Sequence, residues 1–166
     1  MTARRVSAPL LALTSCLAFP AGASALPPFT TAAKSGPSGG RQAEVYQVTA
    51  GCHPTFDRLV VRARFGTPGY DVKYVPRIFQ DATGDPVSLL GTRRIQVLVR
   101  DARGHTQGGT NLLPRVLNPL CSNLRQIKDA GDFEGLVTLG LGLKKRTGFR
   151  VFRLTAPTRL VIDIKH

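Results

Sequence analysis

The stretch FDRLVVRARF, residues 56–65, has the pattern that decides the fold. Its apolar residues Leu59, Val61, Ala63 and Phe65 occupy every second position, and arginines fill most of the positions between them. Because successive side chains of a β-strand point to opposite faces of a sheet, this alternation predicts a strand with one buried face and one basic face. The predicted basic face carries three arginines: Arg58, Arg62 and Arg64.

The same period of two continues along the rest of the chain. It occurs in five further stretches: YDVKYV (70–75), RRIQVLVRD (93–101), GLVTLGLGL (135–143), GFRVFRL (148–154) and RLVIDIK (159–165). Turn residues separate these stretches, and none of them has the pattern of a long amphipathic helix. Short alternating strands with regular turns are typical of an antiparallel sandwich or barrel. We therefore predict an all-β fold, an antiparallel β-sandwich of short strands.

One segment departs from this pattern. Residues 104–124, GHTQGGTNLLPRVLNPLCSNL, open with a Gly-rich loop. Pro114 and Pro119 then interrupt what would otherwise be a short helix. We expect one long loop excursion here, tied down by Cys121.

The first 25 residues have the features of a secretory signal peptide. Arg4 and Arg5 precede a short apolar run over residues 8–19, and Ala23-Ser24-Ala25 fits the small-residue cleavage pattern. The apolar run is shorter than the roughly 20 residues that a membrane-spanning helix needs. We expect export from the cytoplasm and cleavage after Ala25, giving a secreted, periplasmic or wall-associated protein.

A second interpretation of the N terminus stays open. The sequence LTSC, residues 13–16, fits the pattern that precedes a lipid-modified cysteine, so Cys16 is a candidate lipid-attachment site. Its early position and the apolar residues after it favour ordinary cleavage. Residues 26–42 are rich in Pro, Gly, Ser and Thr without periodicity and predict a flexible tether. The folded domain is then expected over residues 43–166.

The chain is strongly basic, with 23 Lys and Arg against 10 Asp and Glu, a formal net charge of +13. Such a charge attracts polyanions through long-range steering and counterion release. Nucleic acid has the right charge but lies outside the compartment of an exported chain, so we expect no nucleic-acid partner. Export and charge together therefore favour an anionic polymer of the cell envelope, such as a phosphate-bearing cell-wall polymer, as partner. A membrane is expected as partner only if Cys16 is lipidated.

Two cysteines would remain after cleavage, Cys52 and Cys121. An even number of cysteines in an exported chain predicts a disulfide. By closing a long loop, this bond would stabilise the fold by about 4 kcal/mol in the chain-entropy model. A pair of buried free thiols is the alternative.

The residue types that catalyse reactions or bind metals are scattered. The histidines at 53, 105 and 166 have no metal-ligand spacing, and DATGD (81–85) lacks the rest of a calcium loop. The stretch GLGLKKRTG (140–148) does not fit the phosphate-binding loop motif, so Gly140 and Gly142 are expected to relieve crowding or to allow close backbone approach. We predict that the protein is not an enzyme and that it uses no cofactor or metal.

Asp163 stands within the last alternating stretch, RLVIDIK. Period two places it on the face opposite Ile162 and Ile164. No general-acid partner or metal-ligand set accompanies it in sequence. We therefore expect Asp163 to be a structural acid that pairs with one of the many arginines.

Three motifs occur in a fixed order along the chain: FDRLVVRARFGTPGYDVKYV (56–75), GDFEGLVTLGLGL (131–143) and FRVFRLTAPTRLVIDI (149–164). In this order they resemble the AMIN-like domain of exported bacterial proteins and lipoproteins. That domain is a distant relative of the AMIN domain of N-acetylmuramoyl-L-alanine amidases and type IV pilus secretins. The resemblance spans residues 52–164, nearly the whole expected domain.

This resemblance implies a β-sandwich that acts as a non-catalytic cell-envelope binding module associated with peptidoglycan. The expected ligand contacts are basic residues: Arg58, Arg62, Arg64, Lys144, Lys145, Arg146, Arg150 and Arg153. Arg150 and Arg153 stand three residues apart, so a regular strand cannot hold both on one face. The alternative function is a protein-interaction or scaffold domain that docks onto an envelope complex through a sheet edge or the excursion.

Overall fold

The alternating stretches form the strands of two packed sheets. The structure, a computed structural model, describes residues 25–166; the predicted signal peptide up to residue 24 and the lipid-attachment alternative at Cys16 lie outside the described residues. The strands of the described chain are β1 (Lys34–Gly36), β2 (Gly39–Cys52), β3 (Phe56–Thr67), β4 (Gly69–Val75), β5 (Arg93–Arg100), β6 (Ala102–Arg103), β7 (Val116–Leu117), β8 (Leu124–Phe133), β9 (Leu136–Leu143), β10 (Phe149–Leu154) and β11 (Arg159–Lys165). Residues 25–166 include no helix with the length and hydropathy needed to cross a membrane.

The two sheets face each other across one hydrophobic core. The six-stranded sheet has the order β1-β4-β5-β9-β8-β7, and the five-stranded sheet has the order β10-β11-β3-β2-β6. Every strand pairing is antiparallel except the short parallel pairing of β2 with β6. Buried apolar side chains from both sheets form a shared cluster. The prediction of an antiparallel β-sandwich is therefore confirmed.

Strand β3 shows how period two produces this core. Its alternate apolar residues up to Ala63 are buried, as expected. The alternation also predicts Phe65 on the buried face, and this is wrong, because Phe65 has a φ of 69° and its side chain is 55% exposed. The pairing of β2 with β3 is irregular at this point, and a Cβ at Gly66 would overlap the carbonyl oxygen of Arg41. The strand bends where the two backbones approach, so Phe65 leaves the core.

Much of the segment 26–42 belongs to the sandwich, in contrast to the flexible tether that its composition predicts. Strand β1 pairs with β4, and β2 already begins at Gly39. Thr30 forms an isolated bridge with Phe149. An edge strand needs only backbone hydrogen bonds from its neighbour, so a segment without hydrophobic periodicity can still join a sheet.

Two long connections pack on the sandwich, where the sequence predicts one. The predicted excursion, residues 104–124, contains β7 and is tied to the end of β2 by the disulfide between Cys52 and Cys121, whose Cα atoms are 5.3 Å apart. The second connection, residues 76–92, covers the outer face of the six-stranded sheet and forms a smaller core there. These connections carry side chains to the two ends of the sandwich.

Candidate anion-binding site

Asp163 lies on the outer face of the five-stranded sheet, between two arginines. The strand register places Arg58 of β3 and Arg150 of β10 directly opposite it, one on each side. Arg58 Nε lies 2.6 Å from one carboxylate oxygen of Asp163, and Arg150 Nε lies 2.8 Å from the other. The Asp163 side chain is 0% exposed. Its hydrogen bond to Arg58 raises the pKa of that guanidinium above its ordinary value.

Aromatic rings flank this ion-paired group. The Arg150 guanidinium lies 4.4 Å from the ring centroid of Phe29, and the Arg58 guanidinium lies 5.0 Å from that of Phe56. Such cation-π contacts add to the ion pairs. Two of the predicted anion contacts therefore already have partners within the chain, and an external anion would compete with Asp163 for them.

The other two arginines of the predicted basic face differ from each other. Arg64 donates a hydrogen bond to the buried Glu44 at 2.7 Å, and Arg103 donates to the same carboxylate at 3.1 Å. Burial raises the pKa of Glu44, but the hydrogen bonds from Arg64 and Arg103 outweigh this, so its pKa lies below the ordinary value. Arg62 forms no ion pair among the described residues. Arg159 of β11 lies opposite Arg62 and likewise forms no ion pair among the described residues, so Arg62, Arg159 and the exposed part of Arg64 remain for a ligand on this face.

Arg153 lies on the opposite side of β10 from Arg150, as the three-residue spacing requires. It donates hydrogen bonds to the carbonyl oxygens of Pro37 and Pro68 and lies over the ring of Tyr70, 4.9 Å from its centroid. These contacts connect β10 to the edge of the other sheet. In this structure Arg153 therefore holds the two sheets together at that edge.

The predicted basic hairpin tip lies at one end of the sandwich. Lys144, Lys145 and Arg146 connect β9 to β10, and Arg146 lies over the ring of Tyr74, 4.4 Å from its centroid. The antiparallel pairing of β5 with β9 starts at Arg93, next to this tip. Arg93 and Arg94 of β5 therefore lie beside Arg146 of the tip, although they come from a distant part of the chain.

Three depressions adjoin one another around the tip, with volumes of about 280, 240 and 370 Å³. The first shares Pro76 and Arg94 with the second and Thr92 with the third, so they form one continuous surface. Six cations line it: Arg77, Arg93, Arg94, Arg125, Lys144 and Arg146. We call this surface the basic groove.

The charged side chains that line the basic groove are all cations. Among residues 25–166, no carboxylate lines it and none of its six cations forms an ion pair. The outer face of the five-stranded sheet differs, because Asp163 and Glu44 bind four of the arginines there. An anion that approaches the groove thus meets positive charge without competition from the chain's own acids.

The sequence pattern predicts only part of this groove. Lys144 and Arg146 are among the predicted contacts, whereas the remaining four cations are not. Arg93 and Arg94 could have been identified as candidate contacts from the sequence, since these two adjacent arginines begin an alternating stretch. Their approach to the tip depends on strand pairing, which periodicity does not reveal.

Asn123 holds the hairpin tip in place. Its backbone oxygen accepts a hydrogen bond from the Lys144 N–H, and its side-chain oxygen accepts one from the Lys145 N–H, both at 2.9 Å. The buried Asp57 carboxylate in turn accepts hydrogen bonds from the N–H groups of Asn123 and Leu124, both at 2.7 Å. The groove is therefore built on a hydrogen-bonded support, which preorganises it for binding.

The described acids and histidines form no metal centre. Among residues 25–166, no three His, Cys, Asp or Glu side chains are grouped so that they could hold a metal ion. His53 stacks on Phe56, His105 contacts Asp132, and the His166 ring contacts the His53 carbonyl oxygen. The basic groove is thus the candidate site that the arrangement of charges supports.

Comparison with known proteins gives a single relationship. No curated protein and no solved structure matches the chain. The family model described as the AMIN-like domain matches residues 43–166. This match extends from β2 through every later strand of both sheets, and the chain therefore belongs to the AMIN-like domain family.

Proposed function

We propose that this chain is an exported, non-catalytic module of the bacterial cell envelope whose basic groove binds peptidoglycan or an anionic polymer attached to it. Membership of the AMIN-like family indicates an envelope-associated binding module. The observation that carries the choice of site is the basic groove, where six cations share one surface without an acidic partner among the described residues.

The chemistry of the groove suits a polyanion. A guanidinium group binds the two oxygens of a carboxylate or phosphate with a pair of parallel hydrogen bonds. Three adjoining depressions with cations in each accommodate an extended chain with repeated charges better than one small ion. Neutralising such a polymer releases its counterions, so binding must weaken as salt rises.

A sacculus pull-down tests the proposal. We expect the purified exported protein to sediment with isolated sacculi at low salt and to be released progressively as sodium chloride is raised. Sacculi stripped of their attached polymers by acid extraction separate the two sources of negative charge. Retention by stripped sacculi that falls as salt rises identifies peptidoglycan carboxylates, and loss of retention identifies the attached polymer. Absence of retention at low salt would contradict the proposal.

Matched charge variants test the site. The triple variant R93Q/R94Q/R146Q removes three charges from the basic groove. The control variant R41Q/K73Q/R115Q removes three charges from exposed positions elsewhere. We expect at least a ten-fold loss of affinity for the first and little change for the second, since each lost phosphate or carboxylate contact costs about 1 kcal/mol or more. Equal losses would show that net charge alone drives binding.

A protein-interaction role is the second candidate. The excursion exposes two large apolar side chains, Val116 at 43% and Leu120 at 54%, beside the edge strand β7. An edge strand with exposed apolar neighbours is a surface on which another protein can dock. In-cell cross-linking from position 116 would then give one discrete envelope partner, together with no retention by sacculi.

Mass spectrometry of the exported protein identifies its N terminus and any acyl chain on Cys16.

A further inference from the structure

A second concave site lies at the other end of the sandwich. The turn between β8 and β9 lies at one end of β9, and the hairpin tip of the basic groove lies at the other. The eight residues of β9 separate these two ends by about 23 Å. A depression of about 340 Å³ lies beside this turn. Its lining includes Gln42, His105, Gln107, Asp132, Phe133 and Glu134. We call it the polar pocket.

The walls of the polar pocket are held together by specific contacts. His105 Nδ1 lies 2.5 Å from Asp132 Oδ2, and the Gly104 N–H donates to the same oxygen at 2.9 Å. The Ala102 N–H donates to the Gly135 carbonyl at 2.9 Å. These bonds fix the start of the excursion against the β8–β9 turn. The Gly-rich opening of the excursion thus places His105 and Gln107 in the lining of the pocket.

Phe133 is an exposed aromatic ring at the edge of this pocket. Its side chain is 64% exposed although it ends a strand of the sandwich. Glu134 and Gly135 follow it with φ values of 49° and 78°, as a two-residue hairpin turn of type I′ requires. The turn therefore holds the ring in a defined place at the surface, where it contributes nothing to the core.

The charges around the pocket favour a neutral ligand. Two of the charges in its lining already have partners within the chain, since Arg103 pairs with Glu44 and Asp132 contacts His105. An anion would still meet the Glu134 carboxylate. The amides of Gln42 and Gln107 both donate and accept hydrogen bonds, as sugar hydroxyl groups do. An aromatic ring beside such groups offers an apolar surface to the C–H face of a sugar.

From this combination we propose that the polar pocket binds a neutral saccharide unit. Its ring packs on Phe133, and its hydroxyl groups bond to the amides of Gln42 and Gln107 and to the Glu134 carboxylate. The saccharide can come from an N-acetylated glycan or from an unacetylated polysaccharide. The proposal goes beyond polyanion binding and uses none of the basic groove, so either proposal can fail without the other.

Titration by nuclear magnetic resonance tests the pocket. The ¹⁵N-labelled exported protein is titrated with N-acetylated chitotetraose and, separately, with cellotetraose at millimolar concentrations. We expect shift changes confined to Gln42 and its neighbours and to residues 102–107 and 132–136, with the tetrasaccharide that binds identifying the source. The groove variant R93Q/R94Q/R146Q should give the same shifts. Absence of localised shifts with both tetrasaccharides overturns the proposal.

A matched pair of phenylalanine variants completes the test. F133A should weaken saccharide binding about ten-fold by removing the aromatic surface. F65A removes a ring of similar exposure, 55%, outside the pocket and should leave binding unchanged. Equal affinities of the two variants would overturn the proposal. An in-cell cross-link from position 133 to one protein partner would also overturn the proposal, if the protein shows no saccharide-induced shift changes.

Discussion

The carboxylate of Asp163 connects three neighbouring strands, because Arg58 reaches it from β3 and Arg150 from β10. A buried ion pair need not stabilise a protein more than apolar residues would, but breaking one leaves a charge without its partner. At Asp163 two guanidinium groups would lose that partner together. The side chain thus has the surroundings of a structural acid, a role that a stability measurement tests directly.

We predict that D163N lowers the free energy of unfolding by about 3 kcal/mol, because it leaves Arg58 and Arg150 without a counter-charge. Urea unfolding at neutral pH measures the change. The control is D71N, which breaks the pair between Asp71 and Arg100, where both side chains are more than a third exposed. Such a surface pair contributes about 0–1 kcal/mol. Equal effects of the two substitutions would show that Asp163 has no special structural role.

Strand β9 shows what the sequence predicts well at the scale of an element. Its glycines are expected to relieve crowding or to allow close backbone approach, and the structure shows the first at Gly140 and the second at Gly142. A Cβ at Gly140 would lie 3.1 Å from the side chains of Ile78 and Leu89, and one at Gly142 would overlap the Leu90 carbonyl oxygen. Both contacts come from the connection 76–92, which packs directly on the strand. The two glycines therefore indicate that another segment packs closely on β9, but they do not indicate which segment it is.

Hydrophobic periodicity predicts individual strands, but it does not predict which distant strands pair with each other. Arg93 reaches the hairpin tip because β5 pairs with β9, which places Arg93 opposite Leu143, fifty residues further along the chain. Strand β1 likewise gains its place from the free edge of β4 and has no pattern of its own. The strands and the buried faces are thus local properties of the sequence. The basic groove and the polar pocket depend on contacts between remote segments.

Glu44 illustrates an element-level prediction on pH. It joins β2 to Arg64 of β3 and to Arg103 of β6, and its pKa is lower in the folded protein. A carboxyl group with a lowered folded pKa stabilises the fold above its unfolded pKa, near 4.5. This stabilisation is lost as the pH falls through the lowered folded value. Glu44 therefore favours the folded state at neutral pH and not in strong acid.

We predict that E44Q is less stable than the parent protein at neutral pH and that the difference shrinks as the pH falls below about 4.5. Urea unfolding at a series of pH values measures both curves. E134Q, which changes an exposed acid in the β8–β9 turn, serves as control and should follow the parent curve closely. A difference between E44Q and the parent that stays constant with pH would contradict the role of the ionised carboxylate.

At the scale of the whole molecule, one end of the sandwich is clamped and basic. The disulfide joins Cys52, the last residue of β2 in the five-stranded sheet, to Cys121, just before β8 in the six-stranded sheet. Two residues beyond Cys121, Asn123 supports the hairpin tip. The polar pocket lies at the other end, where its walls depend on the β8–β9 turn. A change at the disulfide should therefore reach the groove and leave the pocket unaffected.

We predict that C52A/C121A lowers the free energy of unfolding by about 4 kcal/mol, because the unfolded chain regains the entropy of a long open loop. Urea unfolding of this variant, and of the parent with and without dithiothreitol, measures the loss. Retention by sacculi should weaken, since the support of Lys144 and Lys145 loosens, whereas saccharide-induced shifts at the polar pocket should persist. Equal unfolding midpoints of parent and variant would contradict the clamp. A variant that loses both binding activities together would show instead that the two ends do not respond separately.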